Sequence, residues 1–179
     1  MTAFLPLGFL AFFAGLWAGV SYLLSRLSGW RTLAERYPGA EEPKGERLLW
    51  TSGQLGAVSF NSCLNMTFSS AGFHLVPSLM FRLFMPPLLI PWSGVRFEGF
   101  SQLLFLEFAH LRLGGADGAA LRVFRRTAKR FRPYLSERDG REYDSDRRFE
   151  GSRIDRPIVI VLLAAAAAGL LAALIAARR

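Results

Sequence analysis

The 179-residue chain carries a net charge of +8 and a single cysteine. A lone Cys63 excludes an internal disulfide and fits a reducing compartment. The positive charge comes with no nucleic-acid-binding motif, so the expected counter-surface is anionic lipid headgroups, with no nucleic acid as partner. Every acidic residue, and every basic one except Arg178 and Arg179, lies between two apolar ends. The charge therefore belongs to a polar middle, residues 26–156, long enough for one domain with its own core.

Residues 4–25 are uncharged and apolar, with Pro6 near the start, and are long enough to cross a bilayer core as a helix. They read as an uncleaved transmembrane anchor. No Lys or Arg precedes the run, it is longer than a signal core, and Tyr22-Leu23-Leu24 occupies the place where small residues would mark cleavage. Residues 26–45 follow as a juxtamembrane helix and loop. Ser28-Gly29 breaks the first helix, then Trp30, Leu33 and Tyr37 recur at near-helical spacing. Trp30 and Tyr37 are expected at the headgroup level, which suits an apolar ring with a polar tip. Pro38 to Gly45 reads as a loop by its breakers and charge.

Residues 46–136 have the pattern of a β-rich domain. Arg47 to Leu55 reads as a strand, and Cys63 to Phe68 alternates apolar and polar as a half-buried strand does. Ser70-Ala71-Gly72 turns the chain into Phe73-His74-Leu75-Val76, a hairpin signal. Strands are expected next at Leu88–Trp92, Val95–Gly99, Leu103–Phe108 and His110–Leu113; Gly114 to Gly118 is a turn, and Ala120–Phe124 closes the sheet. From Arg125 to about Leu135 the period is helical, with Phe124, Ala128, Phe131 and Leu135 on one face.

The pieces Asn65-Met66-Thr67-Phe68, Gly72-Phe73-His74-Leu75 and Leu89-Ile90-Pro91-Trp92-Ser93-Gly94-Val95 follow one another as a hydroxyl-bearing strand, a glycine turn into an apolar strand, and an Ile-Pro-hydroxyl step. In this order they resemble the bacterial pleckstrin-homology-like and GRAM-like domains. The resemblance covers Arg47 to Leu135 and implies an all-β antiparallel barrel with one C-terminal helix. The first hairpin, Leu55 to Leu64, lacks the Lys/Arg cluster of the phosphoinositide-binding members.

Residues 137–156 mix seven acidic and six basic residues with little to bury, the composition of a charged flexible tether. Residues 157–177 are again uncharged and apolar, a second transmembrane helix. Arg26, Arg31 and Arg36 flank the first anchor, and Arg147, Arg148, Arg153 and Arg156 precede the second, against Arg178 and Arg179 beyond it. The positive-inside rule then expects an integral protein of the bacterial inner membrane, its domain cytoplasmic and both termini outside.

No catalytic, cofactor-binding or metal site is expected. His74, His110 and Cys63 contain no short-spaced ligand pair for zinc. Glu98 and Glu107 are the carboxylates inside the strands, and the two-residue period turns them toward solvent. Gly114–Gly118 lacks the Lys-Ser/Thr element of a phosphate loop.

Two contact surfaces are expected. The run Leu79 to Ile90 is too apolar for a loop in water, and Pro86-Pro87 keeps its middle out of a sheet interior. Phe81, Phe84, Met85, Pro86 and Pro87 are the expected partner or membrane contacts. Arg122, Arg125, Arg126, Lys129 and Arg130 would face anionic headgroups from the C-terminal helix. The expectation is thus a non-catalytic accessory subunit or adaptor of a larger bacterial membrane complex, possibly an energy-converting one, with other integral membrane proteins as partners. The alternative is a membrane-surface sensor whose basic helix binds anionic lipid.

Overall fold

The computed structural model describes residues 4–115 and 117–149. The expected second membrane helix, 157–177, lies outside the described residues, as does the end of the expected tether. The chain begins with α1 (Phe4–Leu27) and α2 (Trp30–Arg36). Within α1, Gly8–Leu27 is long and apolar enough to cross a membrane, as an anchor or as a signal sequence would. Gly29, in the left-handed conformation at φ 72°, makes the break between the two helices that Ser28-Gly29 led one to expect.

Seven antiparallel strands follow: β1 (Glu46–Leu55), β2 (Val58–Phe68), β3 (Phe73–Pro77), β4 (Leu88–Ile90), β5 (Val95–Leu103), β6 (Leu106–Leu113) and β7 (Ala119–Phe124). They form one sheet in the order β4-β3-β2-β1-β7-β6-β5, curled into a half-barrel. The inward set alternates as a pleated strand requires: Ala109, Leu111 and Leu113 on β6, Leu121 and Val123 on β7. The β1–β2 turn is pressed onto the end of α1. A Cβ on Gly56 would stand 2.8 Å from the Ser28 carbonyl oxygen, and its φ of 53° also favours glycine.

The C-terminal segment closes the open side. Phe131 is fully buried and meets Phe68 edge-on at 4.9 Å and Phe73 at 4.7 Å. Tyr134 stacks on Trp92 at 4.5 Å. The expected helix over Arg125–Leu135 is not continuous: α3 (Arg125–Ala128) gives way to a 3-10 turn, Arg132–Tyr134. Pro133 has no N–H to carry the helical ladder through this stretch. Ala128 and Phe131 still point inward, as their spacing required.

The first part of 137–156 is ordered, not the flexible chain its composition predicts. Glu137–Asp144 forms helix α4, with Ser136 accepting a hydrogen bond from the Asp139 N–H at 3.2 Å. That cap satisfies one of the free amides at a helix start. Tyr143 then packs between Phe97 and Phe100 of β5, at 5.3 and 5.0 Å, and Arg148 bridges to Phe100. The dense mixed charge is neutralised in pairs, Arg138 with Glu142, Arg147 with Glu142 and Arg132 with Asp144. The curled sheet with its C-terminal helical closure is consistent with a pleckstrin-homology-like fold.

Candidate functional site

The five expected contact residues Phe81, Phe84, Met85, Pro86 and Pro87 lie in one segment, but not in equivalent positions. After the 3-10 turn Leu79–Phe81, the chain runs beside α1. Trp17 Nε1 donates to the Met80 carbonyl at 3.2 Å, Ser25 Oγ to that of Phe84 at 2.7 Å, and Trp30 Nε1 to that of Pro86 at 2.8 Å. Phe81 lies 5.4 Å from the Trp17 ring, and Phe84 meets Tyr22 edge-on at 5.8 Å. Both are half-buried, while Met85 is fully buried and belongs to the core rather than to a contact surface. Pro86 is exposed and Pro87 half-buried. The large apolar side chains left bare on the segment are Leu79, Met80 and Leu83, none of them among the expected contacts.

Trp30 also departs from expectation. It is wholly buried, 5.9 Å from Phe60, because α2 folds against the sheet instead of extending over a surface. Tyr37 is half-buried near Gly94 and Gly114. Neither ring is placed as a free interfacial anchor.

A second apolar protrusion stands where the sequence pattern predicts a continuous strand. Leu103–Phe108 was expected as one strand, but the chain reverses at Leu104-Phe105, with Leu104 at φ 55°. Leu103, Leu104, Phe105 and Leu106 all stand out, Phe105 at 96% exposure. The tip lies across from the bulged part of β1. Together they line a groove of about 770 Å³ whose floor includes Leu48, Phe105 and Leu106 and whose wall includes Arg125, Arg126 and Arg130. Trp50, at the β1 bulge with φ 54°, is exposed as well. Register places the two protrusions at opposite ends of the strands: the chain leaves β3 toward the β1–β2 turn and α1, whereas the β5–β6 tip points toward the Glu46 end of β1.

The five basic residues do not form one continuous face. Arg122 lies on β7 with its guanidinium 4.3 Å from the Phe108 ring centre. Arg125 bonds Glu107 at 3.3 Å and Asp146 at 2.9 Å while covering Phe100, and Arg130 pairs with Glu46. Arg126 and Lys129 are exposed and form no ion pair with a described residue.

Elsewhere, the chemistry is sparse. His74 is buried and bonded to the Gly39 carbonyl at 3.0 Å. Cys63 is half-buried, and burial pushes its thiol above the ordinary range, away from the nucleophilic thiolate. The β5–β6 register brings Ser101 Oγ within 2.6 Å of His110 Nε2, a contact that no local sequence pattern announces. The His110 ring lies flat against Phe149 at 3.9 Å. Burial, then the nearby Arg122 charge, lowers His110 to about 4, so it is a weak base. Among the described residues no carboxylate orients its other nitrogen, as a nucleophilic dyad would need. Glu98 pairs with Arg112 through one oxygen while its other oxygen is buried without a partner among the described residues, and the more exposed Glu107 pairs with Arg125. No three His, Cys, Asp or Glu side chains among the described residues come together where they could hold a metal ion. A groove of about 680 Å³ beside α4 carries Arg96, Arg112, Arg138 and Arg147, but Glu98 and Glu142 take up three of these cations.

No known protein family, characterised protein or solved structure matches the chain.

Proposed function

We propose that the protein is a non-catalytic, membrane-anchored domain of pleckstrin-homology-like type that binds an anionic lipid through the groove beside its β5–β6 tip. The observation that carries this reading is the groove beside the β5–β6 tip. Four consecutive exposed apolar residues form the tip, and Arg126 lines the groove with no ion pair to a described residue; Lys129, three residues further on, is likewise exposed and without such a pair. An amphiphile with an acyl chain and a phosphate matches that pairing: apolar surface is removed from water while each cation near anionic lipid contributes about 1 kcal/mol. The packing of α1 supports an anchor over a removable signal, since its second half is bonded to the domain through Trp17 and Ser25. A cytoplasmic placement of the domain rests on the flanking arginines.

The test titrates short-chain phosphatidylglycerol into the full-length protein in detergent. Binding should weaken with salt, and Arg126→Glu with Lys129→Glu should weaken it further, whereas phosphatidylcholine should not compete. Binding indifferent to both salt and charge reversal removes the lipid reading.

A second reading, an accessory subunit or adaptor of a larger membrane complex, draws on the outer face of α1. Phe9, Leu10, Phe12 and Phe13 are exposed there and offer a partner helix as much as a lipid an apolar surface. Purification in gentle detergent with a stoichiometric membrane protein retained would favour this reading.

A further inference from the structure

We infer that the Leu79–Phe84 loop is a wedge immersed in the acyl region of one leaflet, alongside the second half of α1. This rests on the anchor reading above, but on different residues from the lipid groove. The apolar span is Gly8–Leu27, and the loop follows it from near its end to its middle: Ser25 and Tyr22 hold Phe84, and Trp17 holds Met80 and Phe81. From Trp17 to Leu27 the helix rises about 15 Å, at 1.5 Å per residue. That equals roughly one leaflet of a hydrocarbon core about 30 Å thick. If Gly8–Leu27 crosses the bilayer, whatever packs on Trp17 cannot remain outside it.

The loop is built for such a place. Irregular backbone survives at membrane depth only where its polar groups are satisfied. Here the carbonyls of Met80, Phe84 and Pro86 accept side-chain hydrogen bonds from Trp17, Ser25 and Trp30. The Phe81 amide bonds Ser78 and the Arg82 amide bonds Leu79, while Pro86 and Pro87 have no amide proton to leave unpaired. Ser21 and Ser25 line the buried side of α1 and Ser28 follows its end, all small enough to let the loop approach closely. The side chains turned outward are Leu79, Met80 and Leu83, at 79%, 65% and 73% exposure, an apolar surface with no covering element from the described chain. Arg82, the one charge in the loop, is exposed and reaches back to the Pro77 carbonyl, as a long cation does when its head seeks the interface. Water would leave those three residues unsatisfied as a group; acyl chains would not.

The experiment uses the full chain with Cys63→Ser, reconstituted in phosphatidylcholine–phosphatidylglycerol vesicles containing phospholipid brominated midway along the acyl chain. Bimane is attached in turn through Phe13→Cys, Leu83→Cys and, as a second probe of the loop, Met80→Cys. Bromolipid should quench the loop probes to an extent comparable with the Phe13 probe, and aqueous iodide should reach none of them. Loop probes open to iodide and untouched by bromine, with the Phe13 probe still quenched, would overturn the wedge and leave the anchor standing. A Phe13 probe also open to iodide would remove the anchor and the wedge together. Loop probes shielded from both quenchers would mean a second copy covers the loop, which also overturns the proposal.

Discussion

The two apolar protrusions of the sheet look alike in sequence, Leu79-Met80-Phe81-Arg82-Leu83-Phe84-Met85 and Leu103-Leu104-Phe105-Leu106, yet the fold treats them differently. The first has a buried side: its carbonyls are bonded by α1 and α2, Phe81 and Phe84 lie on aromatic rings, and Met85 enters the core. The second projects from a two-strand hairpin with no element of the described chain laid over it. Apolar composition therefore does not assign a role. What decides is whether a neighbouring element in the same chain supplies hydrogen-bond donors and ring faces to one side of the run. The first protrusion should answer to stability and to binding, the second to binding alone.

The comparison breaks most sharply at Met85. Met85→Ala removes a fully buried side chain and should destabilise the fold by about 2–5 kcal/mol. Thermal melting of the full chain in detergent measures it, and an unchanged midpoint would mean the loop is not tied into the core. The sheet beneath the second protrusion can be probed by pH instead. His110 is neutral when folded, near 4, and would titrate near 6.5 when unfolded. The unfolded chain therefore binds more protons between those values, so stability falls as pH drops from about 6.5 to about 4 and levels off below. After allowance for partial exposure the loss is about 2 kcal/mol. Denaturant melts of wild type and His110→Gln across that window should diverge by this amount and run parallel above pH 7; parallel behaviour throughout would place His110 in solvent.

Trp30 tests the ties themselves. Trp30→Phe keeps a ring against Phe60 but leaves the Pro86 carbonyl without its donor, at a cost of about 1–3 kcal/mol. If the tie positions the loop, the substitution should also expose a bimane probe at Leu83→Cys to iodide.

Much of the architecture was legible, for reasons visible in particular residues. The α1 run is uninterrupted, and strict alternation at Leu111, Leu113, Leu121 and Val123 gives the strands of the last hairpin. Ala128 and Phe131 point inward on the helical spacing even though Pro133 breaks the helix. Three features were not legible. Leu104-Phe105 turns without Gly, Pro, Asn or Asp, so no turn chemistry announces it. The burial of Trp30 depends on α2 folding back onto the sheet, a tertiary event with no local signature. The order of 137–149 depends on ion pairs between residues close in space; the one local hint was Ser136 three residues before Asp139, a capping spacing. The candidate site suffered most, since cations adjacent in sequence are divided in space: Arg125 and Arg130 are spent on carboxylates while Arg126 and Lys129 are not.

The smallest effect on stability is the most informative about function. Leu104→Ser with Phe105→Ser changes two side chains that are 81% and 96% exposed, so folding should shift within about 0.5 kcal/mol. Neither residue is in the core, and the β5–β6 ladder from Leu103↔Leu106 inward does not need their side chains. Binding of short-chain phosphatidylglycerol should nonetheless fall several-fold, because about 25 cal/mol per Å² of apolar contact is forfeited at the groove floor. The salt dependence should persist, since Arg126 and Lys129 remain. A variant that binds lipid as well as the wild type would show that the tip is not part of the binding surface, leaving only the cations to carry it. A variant that melts several degrees lower would reveal a structural role for the tip, and the contrast between the two protrusions would collapse.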